Sequence, residues 1–163
     1  MNKRYIISDL HFGHKNMASK RGFSTVEEHD EHIIKEWNKV VNKGDTVWIL
    51  GDITMEKSNY EILDRLHGYK KVVLGNHDMP QHVTKLLKHV NCVCSSHKLG
   101  NLLLTHIPIH PSEFDYKSFM KNVHGHVHTN TIQDERYINV CCENIDYKPI
   151  LIDNLVGNYN KDV

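Results

Sequence analysis

The chain has 163 residues, with 20 basic and 20 acidic side chains, a formal charge of zero and 14 histidines. This length suits one domain, residues 1–163, with a substantial core, and the balanced charge excludes a global field for DNA, RNA or an anionic membrane. No apolar run approaches the roughly 18 residues of a membrane span, and residues 1–9 lack the apolar stretch expected of a signal peptide.

Tyr5-Ile6-Ile7 reads as a buried strand that stops at Ser8-Asp9. Thr25 and Glu28 have capping-box spacing and open a helix through about Val41, with Ile33, Ile34, Trp37, Val40 and Val41 on its apolar face. Lys43-Gly44-Asp45 ends it. Residues 46–50 form a second buried strand that runs into Gly51-Asp52. Ser58 starts a second helix with Tyr60, Ile62, Leu63 and Leu66 inside, closed by His67-Gly68. Residues 71–74 form the third strand, running into Gly75-Asn76-His77-Asp78, and Pro80 opens a helix through about His89. Residues 90–97 and 102–105 flank Leu99-Gly100-Asn101 and read as a hairpin. Pro108 and Pro111 stiffen the loop 107–113; residues 137–142 and 149–152 are two further strands, and 157–163 reads as a frayed end.

Strand and helix alternating through the first half imply right-handed crossovers and a parallel sheet. Ligands gather at the carboxyl ends of such strands, where Asp9, Asp52 and Asn76 lie. Glycine before Asp52 and before Asn76 lets the backbone turn tightly. The four cysteines lack C-x-x-C spacing; Cys92 and Cys94 point to one face and Cys141 and Cys142 to opposite faces. They read as reduced structural thiols of a cytoplasmic protein.

Five motifs carry the chemistry: Asp9-Leu10-His11, Gly51-Asp52, Gly75-Asn76-His77-Asp78, Thr105-His106 and Gly125-His126-Val127-His128. Imidazole, carboxylate and amide oxygen together suit divalent first-row metals. Their number exceeds what one tetrahedral ion needs, which points to a two-metal hydrolase. In this order the motifs resemble the calcineurin-like metallophosphoesterase superfamily. The start Asp9-Leu10-His11-Phe12-Gly13-His14 looks like its small, compact branch.

That resemblance implies an α/β fold, a four-layer α/β/β/α sandwich of two mixed sheets flanked by helices. It implies that Asp9, His11 and His128 hold one metal, that Asn76, His106 and His126 hold the other, and that Asp52 bridges them. Manganese is the expected ion, with iron, zinc or nickel as alternatives. The implied reaction is hydrolysis of a phosphodiester, or a phosphomonoester, by a metal-bridging hydroxide. His77 stabilises the phosphoryl oxygens or protonates the leaving oxygen, and Asp78 orients it or caps the helix at Pro80. His14, Lys15 and Arg21 are expected to reach substrate. His124 reads as supporting the ligands, whereas Glu143 has no evident task and is expected, with residues 147–149, to pack the second sheet. His29, His32, His67, His82, His89 and His97 read as surface or core histidines.

Arginine is scarce, only Arg4, Arg21, Arg65 and Arg136. This disfavours a serine/threonine-type protein phosphatase, which holds phosphate bidentately. A nucleotide pyrophosphatase of the same fold is a further alternative, and a non-enzymatic scaffold is the competing class. The expected partner is a small or flexible phosphate ester, with neither membrane attachment nor tight non-specific nucleic-acid binding.

Overall fold

The computed structural model describes residues 2–55, 59–116 and 118–155. Strands β1 (Arg4–Ile7), β2 (Thr46–Ile49), β3 (Tyr69–Val73) and β4 (Cys92–Cys94) lie parallel to one another. β5 (His97–Leu99) and β6 (Leu102–Leu104) make an antiparallel hairpin, which β7 (Lys121–His124) and β8 (Tyr137–Asn139) extend in parallel. β9 (Ile150–Leu151) returns antiparallel to β1. The first sheet therefore has the order β4-β3-β2-β1-β9 and the second β5-β6-β7-β8.

Alternation along β1 and β2 sends successive apolar side chains into two cores. Tyr5, Ile7, Val47 and Ile49 pack against Ile33 and Trp37, together with Leu63 and Leu86. Ile6, Trp48 and Val73 face the other way and meet Leu102, Leu104 and Val123 of the second sheet. Strands buried on both faces read as continuous apolar runs, which is why these were legible. Each fully buried side chain of this size contributes about 1.5–3 kcal/mol.

Helix α1 (Lys15–Lys20) and helix α2 (Val26–Val40) follow β1. Thr25 Oγ1 accepts from the Glu28 amide at 3.1 Å, and Glu28 Oε2 accepts from the Ser24 amide at 3.0 Å, one residue before the usual capping-box partner. The 3-10 turn Pro111–Tyr116 sets Phe114 against Tyr137 at 5.4 Å, beneath the Arg136 guanidinium at 4.4 Å.

Five sequence expectations change. The expected helix around residues 58–67 is a 3-10 turn, Tyr60–Arg65, and its start at Ser58 lies outside the described residues. Tyr60, Leu63 and Leu66 are the buried positions, and their spacing of three matches three residues per turn. The Pro80 segment divides into a 3-10 turn, Pro80–His82, and a short helix α3 (Val83–Leu86) that stops before His89. Residues 90–97 split at Ser95-Ser96: β4 completes the first sheet beside β3, while β5 begins the second. β7, which the sequence did not reveal, contains a buried Asn122 whose amide bonds Leu103 O, Thr105 Oγ1 and the Ile109 amide. Tyr147 packs in the first core with Phe23 and His32, not beneath the second sheet. The expected frayed end, 157–163, lies outside the described residues. Among the described residues no helix is long and apolar enough to cross a membrane.

Candidate metal centre

The motif residues leave the carboxyl ends of β1, β2, β3, β6 and β7, and both sheets present these ends to one centre. Asp9, His11, Asp52, His126 and His128 adopt left-handed backbone, with φ of 59°, 50°, 52°, 71° and 51°. Residues other than glycine rarely sit there, at a cost of order 1–3 kcal/mol each, and such strain concentrates at functional sites. The twist lets residues two apart, such as Asp9 and His11, or His126 and His128, face the same point. Two glycines allow the close approach. A Cβ on Gly75 would collide with the Asp52 carboxylate, and one on Gly125 with Ser8 Oγ and the Asp9 carboxylate.

Asp9 is held by one oxygen only. Its Oδ2 accepts from Ser8 Oγ at 2.6 Å, the His126 amide at 2.9 Å and the Cys141 thiol at 3.2 Å. Burial and the neighbouring Asp9 charge push the Cys141 thiol up, so it stays a protonated donor. The other oxygen, Oδ1, is buried without a hydrogen-bond partner among the described residues, 3.6 Å from His11 Nε2 and 3.9 Å from His128 Nε2. Burial alone would raise the Asp9 carboxyl, but the adjacent His11 imidazole and the hydrogen bond from Ser8 outweigh it and hold it below the usual carboxylate range.

Asp52 divides its oxygens in the same way. Oδ1 accepts from the His77 amide at 3.0 Å, while Oδ2 lies 3.4 Å from His106 Nε2 and 3.7 Å from His11 Nε2. His106 Nδ1–H donates to Leu50 O at 2.7 Å, which aims Nε2 at the centre, 2.9 Å from Asn76 Oδ1. His128 Nδ1 donates to Glu143 Oε1 at 3.0 Å, which aims its Nε2 likewise. The set fits divalent metal ions. Among the described residues both ring nitrogens of His11 and Asp9 Oδ1 are buried and unpartnered, and His11 Nε2 and Asp9 Oδ1 lie beside other donor atoms of nitrogen and oxygen. Asp9, His11 and Asp52 form one donor group; Asp52, His106 and His126 form another; Asp9 and His128 join Cys141 in a third.

Around this centre the expectations diverge. The His77 side chain is 42% exposed and opens onto a cleft. Asp78 does not orient it. Asp78 Oδ2 accepts from the amides of Asp52 and Gly75, both at 2.8 Å, and Oδ1 from Ile53 at 3.2 Å, so it braces the two ligand loops against each other. Nor does Asp78 cap the Pro80 segment, whose cap position is Met79 and has no side-chain bond. Burial outweighs these amide bonds and pushes the Asp78 carboxyl up.

His14 Nδ1 caps α1 by accepting from the Met17 amide at 3.0 Å, and its ring lines the His77 cleft. Lys15 lines a separate depression with Phe23 and Thr25 and is not brought to the donor cluster. Arg21 is turned inward: its side chain is 1% exposed and its guanidinium is engaged by protein groups. Its guanidinium donates to Glu143 Oε1 at 2.9 Å, Asp9 O at 2.6 Å and Leu10 O at 3.1 Å, and lies 2.8 Å from His29 Nε2. It therefore fastens the strained first motif, and His29 is a core histidine. Glu143 does not pack the second sheet as expected but links Arg21 to His128. Burial would raise its carboxyl, but His128 and Arg21 bring it down to about 2.

The calcineurin-like phosphoesterase superfamily domain matches residues 3–142, which contain every motif of the centre. The chain belongs to this superfamily. Over 96% of its length the chain is 32% identical to an uncharacterized protein of Methanocaldococcus jannaschii, covering 90% of that protein. It is 43% identical to the gene 66 protein of Mycobacterium phage L5 over 49% of this chain and 42% of the phage protein. A protein of unknown function from Aquifex aeolicus, known from its crystal structure, shares the fold with a TM-score of 0.76 and 26% identity. That match covers 96% of this chain and 98% of the Aquifex chain.

Proposed function

We propose that the protein is a phosphodiesterase using two divalent ions, manganese foremost and iron, zinc or nickel as alternatives. The observation that carries this reading is Asp52. It belongs to two donor groups at once, one with Asp9 and His11 and the other with His106 and His126, as a bridging carboxylate must. Asn76 and His128 add to the second and first groups respectively. Divalent ions so held lower the pKa of water and offset phosphoryl charge.

The chain's own residues do the rest. Ser8, Cys141 and the His126 amide fix Asp9 so that only Oδ1 faces the centre. Asp78 sets the spacing of the Asp52 and Asn76 loops. His77, the exposed imidazole beside Asp52, gives a proton to the departing oxygen. All four arginines are paired, with Asp153, Glu143, Glu31 and Asp134, so none is left to grip phosphate in the manner of a protein phosphatase. The balanced charge supports a small or flexible ester substrate, and four unpaired thiols support a cytoplasmic setting.

Hydrolysis of bis(p-nitrophenyl) phosphate and p-nitrophenyl phosphate, with Mn, Ni, Zn and Mg in turn, tests the reading. Faster turnover of the diester with two ions per chain supports it. Full activity at one ion per chain refutes the dinuclear centre, and faster turnover of the monoester refutes the diesterase preference.

A further inference from the structure

Two clefts meet at His128. One, of about 540 Å³, is lined by the loop 126–130 with Arg21 and Glu143; the other, of about 500 Å³, by His11, His14, Asn16, Met55 and His77 among others. Met17, Lys20 and His128 line both, so α1 and His128 form the ridge between them. Each volume lies within the roughly 300–1,000 Å³ of small-molecule sites, so each has room for an organic group of its own. A monoester has one such group to place and a diester has two. Lys20, exposed on the ridge, has no ion-pair partner among the described residues, and a diester phosphate carries a single negative charge for it to meet. His77 opens onto only one of the clefts, which makes the two sides inequivalent.

We propose that the substrate is a phosphodiester seated astride this ridge. Its leaving alcohol lies in the His77 cleft, its retained ester arm lies in the cleft walled by Thr129 and Asn130, and its phosphoryl charge lies against Lys20. This assignment rests on the phosphodiesterase reading. In the reaction water supplies the oxygen that joins phosphorus, and the bond from phosphorus to the leaving oxygen breaks. That alcohol departs with a proton from the His77 side, and the product is a monoester whose arm still occupies the other cleft.

The test uses two diesters with one leaving group, p-nitrophenolate, and different retained arms: methyl p-nitrophenyl phosphate and bis(p-nitrophenyl) phosphate. Asn130→Trp and, on the same exposed wall, Thr129→Trp fill the retained-arm cleft. Each lowers the ratio of kcat/KM for the aryl diester over the methyl diester at least tenfold. Lys20→Met raises KM at least fivefold for both diesters and leaves their ratio unchanged. A ratio that stays within twofold in both tryptophan variants, with native circular dichroism, overturns the division of the clefts. An unchanged KM in Lys20→Met overturns the contact with the phosphoryl group. A wild-type protein that hydrolyses no ester with any metal refutes the phosphodiesterase reading itself, and this assignment with it; active wild type with unselective variants refutes the assignment alone.

Discussion

Replacing Glu143 by Gln keeps the shape of the side chain and removes the charge that Arg21 and His128 share. The carboxyl drops from 4.5 to about 2 in the folded protein. At roughly 1.4 kcal/mol per unit, this difference is worth roughly 3 kcal/mol of stability at pH 7. The ion pair gives the same scale: with Arg21 at 1% and Glu143 at 13% exposure, solvent screens it little, and breaking a buried pair from one side costs about 3–5 kcal/mol. Urea unfolding at pH 7 in the presence of a chelator measures the loss without the added stability of bound metal. The sign with pH follows from the depressed carboxyl. Its contribution is complete above the ordinary value of 4.5 and is lost as pH falls towards about 2, so the gap between wild type and Glu143→Gln narrows below pH 5. The same change loosens His128 and weakens metal binding about 10–100-fold, read by titration with Mn. A gap under 1 kcal/mol at pH 7, or one that widens on acidification, would refute the reasoning.

Asp52→Asn removes one charged oxygen from the shared position; it should lower activity more than any other ligand substitution and bring metal content below two ions per chain, measured by elemental analysis. His77→Ala should leave metal content near that of wild type while lowering turnover of an alkyl ester about 10²-fold. The loss should be smaller for a nitrophenyl ester, whose phenolate departs unaided; equal losses would show that His77 donates no proton. Gly125→Ala drives a methyl group into Ser8 Oγ and the Asp9 carboxylate. Overpacking of this kind costs about 1–3 kcal/mol, and both the unfolding midpoint and the affinity for metal should fall; an unchanged metal affinity would mean that Asp9 can shift without consequence.

Local patterns carried much of the fold. The apolar runs before Asp9, Asp52 and Asn76 marked three buried parallel strands, and the capping pair Thr25 and Glu28 marked α2, because both signals act within a few residues. The ordered motifs also named the side chains that the structure gathers at one centre. What sequence could not display was decided at long range. The chain changes sheets at Ser95-Ser96 because β4 pairs with β3, some 20 residues earlier. β7 forms around a polar Asn122 because three neighbours satisfy it. Asp78 braces backbone amides of the β2 and β3 loops instead of a neighbouring histidine. Arg21 and Glu143, 122 residues apart, meet only in the folded molecule. Burial there converts a loop arginine expected to contact substrate into the clamp of the first motif, since a desolvated charge persists only where folding supplies its partner.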